Sequence, residues 1–106
     1  MTPDWRSSTP PGFSWPEGVR AAACFTFDID VVDPAYAPGT GTPEAGGPSA
    51  RDMLAVVRRL TGIAFVGFDV VEVIPAYDPA GQTATLAANL AYEMLSLVAL
   101  QRQADG

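Results

Sequence analysis

Two apolar segments that end in acidic residues constrain the fold of this chain more than any other feature. Residues 21–29 read Ala-Ala-Ala-Cys-Phe-Thr-Phe-Asp-Ile, and residues 63–74 read Ile-Ala-Phe-Val-Gly-Phe-Asp-Val-Val-Glu-Val-Ile. Continuous apolar runs of this length, with aromatic and β-branched residues, are typical of strands that are buried on both faces. We therefore predict two buried strands, each with carboxylates near its carboxyl end.

A loop and a helix are predicted between these strands. Residues 33–48 hold four prolines and four glycines, which indicates a long loop. Ser49, followed three residues later by Asp52, predicts a capping box at the start of a helix, and Gly62 is expected to end that helix.

A second helix is predicted over residues 83–102, with Thr83 as a possible cap. It is apolar on nearly every side, so we expect it to be deeply buried or to pack against another chain. The order strand, loop, helix, strand, helix predicts an α/β fold with a βαβ unit in a parallel sheet. Residues 1–20 are Pro-rich and predict an irregular arm, which leaves residues 21–106 as the folded part.

Composition excludes several classes of function. The net charge of -6 argues against nucleic acid as a partner, and the absence of His removes Ser-His-Asp catalysis and His-based zinc sites. Chemistry must therefore use carboxylates, hydroxyls, arginines or a bound metal. Cys24 lies in an apolar run, so we expect a buried hydrophobe. Charged residues or prolines interrupt the apolar runs, so we predict no membrane-spanning helix. The N-terminus has Asp4 beside Arg6 and no apolar segment before residue 21, so we predict no secretory signal and a cytoplasmic location.

Asp28 and Asp30 form the most suggestive carboxylate pair. On a strand, residues two apart point the same way, about 6.6 Å from each other at Cα. Two like charges so placed repel one another, and a divalent cation such as Mg, Ca or Mn would relieve the repulsion. The alternative is that the strand ends near Ile29 and both aspartates are solvated turn residues. The spacing alone leaves both interpretations open.

The residues around this pair resemble a known family. Thr-Phe-Asp-Ile-Asp-Val-Val-Asp-Pro-Ala-Tyr-Ala-Pro-Gly-Thr-Gly-Thr-Pro-Glu-Ala-Gly-Gly, residues 26–47, is similar to the signature of the ureohydrolases, the arginase and agmatinase superfamily. Thr26 stands where that family usually has Ser. The resemblance extends over residues 24–100, and the Asp-Pro-Ala-Gly segment at residues 78–81 looks closer to agmatinase than to arginase.

This resemblance implies a fold, a metal and a substrate. The chain would be the C-terminal portion of a three-layer parallel-sheet fold, and Asp28 and Asp30 would be ligands of a manganese pair. By the same resemblance, Thr42 and Glu72 would lie at the guanidinium end of a substrate such as agmatine, with Glu72 pairing with its positive charge. This agrees with the chemistry, since a carboxylate matches a guanidinium with two parallel hydrogen bonds. The reaction would release urea and an amine. For Glu72 the alternative is a strand-end carboxylate that faces solvent.

The resemblance also implies that the site is incomplete here. The family takes further ligands from Gly-Gly-Asp-His and Asp-Ala-His-x-Asp segments, and this sequence contains neither. We therefore expect little or no turnover from the chain alone. Asp33 is predicted to order the loop, whereas Asp69 could support the metal ligands or cap a neighbouring loop.

Two other interpretations remain open. Residues 13–30 also resemble the start of a polysaccharide deacetylase, which would make the chain a fragment of a metal-dependent C–N hydrolase. Alternatively, the chain is a non-catalytic remnant in which the helix at 83–102 serves only as an association surface. An exposed apolar helix predicts a homo-oligomer or an aggregation-prone chain.

Overall fold

The computed structural model describes residues 23–105, and the Pro-rich arm predicted at residues 1–20 lies outside this range. The predicted order of strand, loop, helix, strand and helix is confirmed. The elements are β1 (Ala23–Asp28), a 3-10 turn (Ile29–Val31), α1 (Ala50–Arg58), β2 (Phe65–Val71), a second 3-10 turn (Pro75–Tyr77) and α2 (Gln82–Asp105). Both strands are shorter than predicted, and the second helix is longer.

The strands β1 and β2 pair in parallel, with Thr26 opposite Asp69 and Asp28 opposite Val71. Phe27 is buried at 4% exposure, and Phe25 packs against the same core. That core contains residues from both helices, so α1 and α2 cover the same face of the sheet. Its buried members are Phe27, Ile29, Val32, Ala37, Val57, Leu86, Leu90, Met94 and Leu97.

The other face of the sheet is open across the described residues. Cys24, Thr26 and Asp28 alternate with the core residues of β1, and all three are exposed. The prediction that β1 is buried on both faces is therefore wrong for this part of the chain, and so is the prediction that Cys24 is buried. The apolar run suggested a second covering layer, but residues 23–105 provide helices for one face only.

The helix α1 begins at the predicted capping box. The Ser49 side chain accepts a hydrogen bond from the backbone N–H of Asp52 at 3.0 Å, and the Asp52 carboxylate accepts one from the Ser49 N–H at 3.3 Å. These two bonds satisfy donors that the first helical turn cannot satisfy within the helix.

Replacing Ser49 with Ala should lower the free energy of unfolding by about 1 kcal/mol, because an N–H of the first turn loses its acceptor. Urea denaturation of the chain measures this change. Ser49→Asp serves as the control, since Asp is an equally good cap and should retain most of the stability. Equal unfolding midpoints for the Ala and Asp variants would contradict the role of the side chain.

The helix α2 begins one residue before the predicted start, and its first turn is capped by a different residue from the one expected. The carboxylate of Asp78 accepts hydrogen bonds from the backbone N–H groups of Thr83 and Ala84, both at 2.9 Å. Thr83 lies inside the helix and is fully buried. The prediction that Thr83 caps this helix is therefore wrong, because a loop carboxylate reaches back to the first turn instead.

One side of α2 is buried and the other is exposed. Leu86, Leu90, Met94 and Leu97 belong to the core, while Tyr92 and Leu95 are 69% and 58% exposed. Between Gln82 and Gln103 the helix is long and apolar enough to cross a membrane by length and composition, which the charge-interrupted apolar runs did not predict. The core helix of a soluble protein meets the same criterion, and α2 supplies four core residues here. Self-association through its exposed side stays a prediction.

Candidate metal and guanidinium site

The carboxyl end of β1 places Asp28 and Asp30 in different backbone environments. The strand ends at Asp28, and its Oδ1 accepts a hydrogen bond from the backbone N–H of Asp30 at 3.1 Å, which caps the 3-10 turn. Asp30 therefore lies in a turn and not on the strand. The expectation that both residues project from one extended strand is wrong. The alternative of a turn holds for Asp30, which is half-buried, whereas Asp28 is the last residue of β1. Their assignment as metal ligands stays a prediction.

The long loop folds back over Asp30. The hydroxyl of Thr42 donates a hydrogen bond to Oδ2 of Asp30 at 2.7 Å. This bond brings together two of the predicted site residues, which are 12 positions apart in sequence. It also orients the Asp30 carboxylate, because one of its two oxygens is held by the loop.

Asp33 orders the same loop, as predicted. Its Oδ1 accepts a hydrogen bond from the N–H of Ala35 at 2.8 Å, and its Oδ2 accepts one from the N–H of Gly46 at 3.0 Å. The Asp33 N–H donates to the carbonyl of Pro48 at 3.0 Å, so the loop is tied at both of its ends. Asp33 thereby fixes the path of the chain that carries Thr42.

Glu72 stands at the carboxyl end of β2, directly after Val71, the residue that pairs with Asp28. Its φ of 74° places it in the left-handed region, and it is the one non-glycine residue with positive φ in the described range. Such a conformation costs of order 1–3 kcal/mol and persists where surrounding contacts impose it, often at functional sites. The strand was predicted to continue to residue 74, but β2 ends at Val71. Glu72 lies outside the strand pairing, and it is exposed.

Asp69 lies three residues before Glu72, within β2 and opposite Thr26 on the open face of the sheet. It is exposed. The choice between support for the metal ligands and a loop cap therefore stays open.

A junction that the sequence did not reveal connects the loop to both β2 and α2. The N–H of Gly39 donates to Oγ1 of Thr83 at 2.8 Å, and the carbonyl of Gly39 accepts from the N–H of Ile74 at 2.8 Å. The pKa of Asp78 lies below its ordinary value, chiefly because the carboxylate accepts the N–H of Thr83 and then that of Ala84. The hydrogen bonds from Thr83 and Ala84 therefore stabilise the charged form of Asp78.

One cavity among the described residues lies away from this edge. Its volume is about 470 Å³, and it opens between the amino-terminal half of β2 and the last turns of α2. Phe65, Phe68, Val98 and Arg102 are among its lining residues, and none of the predicted site residues is. We therefore place the candidate site at the carboxyl edge of the sheet, where the carboxylates are.

The carboxylates of Asp28 and Asp30 are suitable ligands for manganese, but two carboxylates are too few to bind a pair of ions. Carboxylate oxygens are ligands that Mn accepts. Within residues 23–105, however, no group of three or more His, Cys, Asp or Glu residues is arranged to hold a metal ion. The full sequence also contains no His. Asp28 and Asp30 are thus at most a partial ligand set.

The parallel sheet has aspartates at its carboxyl edge, and the Gly-Thr-Gly-Thr loop is hydrogen-bonded to one of them, Asp30. The family model described as the arginase family matches residues 17–96, and the chain belongs to this family. The family generally binds manganese. The match includes Asp28 and Asp30, whereas the deacetylase-like residues 13–22 lie outside the described range.

Among individual proteins, the chain is 53% identical over 73 residues to the mitochondrial agmatinase of Gallus gallus, covering 69% of this chain and 22% of that protein. It is 56% identical over 70 residues to the mitochondrial guanidino acid hydrolase of Homo sapiens, covering 66% of this chain and 20% of that protein. The crystal structure of a hypothetical agmatinase from Burkholderia thailandensis superposes with a TM-score of 0.74 at 54% identity, covering 80% of this chain and 27% of that one.

The chain thus spans about a fifth of the length of these curated relatives. Its two parallel strands and two helices are a partial arginase fold, as predicted. The third layer of the predicted three-layer architecture is not among residues 23–105.

Proposed function

We propose that this chain supplies the guanidinium-binding edge and two metal-ligating carboxylates of an agmatinase-like guanidino hydrolase. Asp28 and Asp30 serve as manganese ligands within a site that other residues complete. Glu72 pairs with the guanidinium of the substrate, and Thr42 lies beside it. The overall reaction is hydrolysis of a guanidino compound to urea and an amine.

The observation that carries this proposal is the 2.7 Å hydrogen bond from Thr42 to Asp30. It shows that the loop and the aspartate turn form one arrangement at the sheet edge. Glu72 follows the residue paired with Asp28, so it lies at the same edge. An acidic edge of this kind suits a planar cation, because each carboxylate can accept two parallel N–H bonds from a guanidinium.

The substrate class follows from what the relatives share. Relatives of similar identity are named for agmatine and for guanidino acids, at 53% and 56%. Agmatine carries an amine at its far end, whereas a guanidino acid carries a carboxylate. The end common to both is the guanidinium, and that is the end assigned to Glu72 and Thr42. We name agmatine as the test substrate on this basis.

The test is a chimera in which residues 24–96 of this chain replace the corresponding segment of the Gallus gallus agmatinase. The host supplies the remainder of the fold, so the segment is tested in a complete site. We expect the chimera to release urea from agmatine in the presence of manganese.

The chain alone is the control, and it should release no measurable urea, because two carboxylates are at most part of a two-metal site and the sequence contains no His to transfer protons. Light scattering on the same sample reports whether its exposed α2 side causes self-association. An inactive but folded chimera would favour the non-catalytic interpretation, and robust turnover by the chain alone would contradict the incomplete site.

A further inference from the structure

The N–H and the carbonyl of Gly39 both form hydrogen bonds, and these bonds connect the two segments that carry the proposed substrate residues Thr42 and Glu72. The N–H of Gly39 donates to Oγ1 of Thr83 at 2.8 Å, and its carbonyl accepts from the N–H of Ile74 at 2.8 Å. Gly39 lies three residues before Thr42, and Ile74 lies two residues after Glu72. A single residue thus connects the loop that carries Thr42 to the end of β2 that carries Glu72.

Thr83 is itself held in place on α2. It is fully buried, its N–H donates to Oδ1 of Asp78 at 2.9 Å, and the N–H of Ala84 donates to Oδ2 of Asp78 at 2.9 Å. Both oxygens of the Asp78 carboxylate are therefore bound to the first turn of α2. This arrangement fixes the hydroxyl of Thr83 relative to the helix.

The space around Gly39 is too small for a side chain. A Cβ at this position would lie 2.9 Å from Oγ1 of Thr83 and 2.5 Å from Cβ of Asp78, so the loop backbone approaches α2 as closely as glycine permits. Thr83 and Asp78 are therefore in direct contact with the loop backbone at Gly39.

We infer that Thr83 and Asp78 are positioning residues that act through Gly39 to hold Thr42 and Glu72 in their mutual arrangement. This role rests on the proposed function of Thr42 and Glu72. The two positioning residues make no contact with substrate in this account. They form a support, a set of hydrogen bonds that connects the first turn of α2 to Gly39 in the loop at residues 33–48. Through Gly39 the support reaches Ile74, shortly after the end of β2.

Hydrogen exchange on the full chain tests the support without any need for activity. Thr83→Val replaces the hydroxyl by a methyl group of similar size and removes the acceptor for the Gly39 N–H. The Gly39 amide should then exchange about tenfold faster, because a buried donor loses its partner. Amides in the paired strands, such as that of Phe68, should be unchanged. Thr83→Ser should restore the slow exchange.

Thr85→Val is the matched control. The Thr85 hydroxyl donates to the Gly81 carbonyl at 2.8 Å on the same first turn, and Thr85 is exposed whereas Thr83 is buried. This variant should leave the Gly39 amide unchanged. Unaltered Gly39 exchange in Thr83→Val, or faster exchange throughout the chain, would overturn the inference, since the second result indicates a general effect on stability.

Kinetics of the agmatinase chimera separate positioning from folding. Because Glu72 binds the guanidinium in both the ground state and the transition state, Thr83→Val should raise KM for agmatine roughly tenfold with kcat within about twofold. Thr83→Ser should restore KM. A fall in kcat with unchanged KM would overturn the positioning role. An inactive unmodified chimera would contradict the proposed function instead, while the exchange experiment would still decide whether the support exists.

Discussion

Replacing Asp30 with Asn in the agmatinase chimera is expected to reduce agmatine hydrolysis more than about 100-fold. Residues that merely support metal ligands cost 10- to 100-fold when changed, so the loss of a proposed ligand should exceed that range. Asn keeps the shape of the side chain and an oxygen that can still accept the Thr42 hydroxyl. The loop contact at 2.7 Å is therefore retained while the charge that attracts a cation is removed. Steady-state urea release at saturating manganese measures the effect.

Glu93→Gln provides a control that removes one negative charge from α2. Glu93 pairs with Arg58 at 2.7 Å, with side chains 17% and 63% exposed, so we expect the pair to make only a small contribution to stability. Turnover of this variant should stay within about twofold of the unmodified chimera. Comparable losses for the Asp30 and Glu93 variants would mean that the effect arises from net charge, and would contradict a specific role for Asp30.

Gly39→Ala should destabilise the isolated chain by about 2–3 kcal/mol, which is the upper part of the range for inserting a methyl group into a filled space. The added Cβ would lie 2.5 Å from Cβ of Asp78, a distance that requires the loop or the segment that carries Asp78 to move. The change should appear in urea denaturation as a lower midpoint with a similar slope.

Gly67→Ala is the comparison for this prediction. A Cβ at Gly67 would lie 3.8 Å from Sγ of Cys24, which is an ordinary contact on the open face of the sheet. We expect no loss of stability there, because alanine also reduces the freedom of the unfolded chain. If both alanine variants unfolded at the same urea concentration, the close approach of the loop to α2 would not be a determinant of stability.

The sequence predicted those features that depend on short-range patterns. The apolar run before Asp28 predicted β1, Ser49 with Asp52 predicted the capping box, and the two strands with an intervening helix predicted a parallel pair. Each of these depends on residues within a few positions of one another, whose hydrogen bonds and periodicity can be read directly from the chain.

The features that sequence did not predict depend on contacts between distant segments. Gly39 and Thr83 are 44 positions apart, and nothing in either local sequence indicates that one binds the other. Thr83 was expected to cap α2 because its side chain can do so, but Asp78 binds two N–H groups of that turn and occupies the position. The left-handed conformation of Glu72 was not predicted either, since β-type residues on both sides favour an extended strand.

The open face of the sheet shows a further limit of pattern analysis. The run that contains Cys24 and Thr26 is apolar enough to predict burial on both sides, yet both residues are exposed within the described range. The pattern of apolar residues indicates which faces of a strand are suited to burial. It does not report which segment provides the covering layer, and the helices of residues 23–105 all pack on the opposite face.

The most direct test of the account is a crystal structure of the agmatinase chimera grown with manganese and measured at the metal's absorption edge. We expect anomalous peaks within coordination distance of the carboxylates of Asp28 and Asp30, with Glu72 at the same edge of the sheet. Peaks coordinated only by residues of the host enzyme, with both aspartates directed elsewhere, would contradict the assignment of these carboxylates as metal ligands.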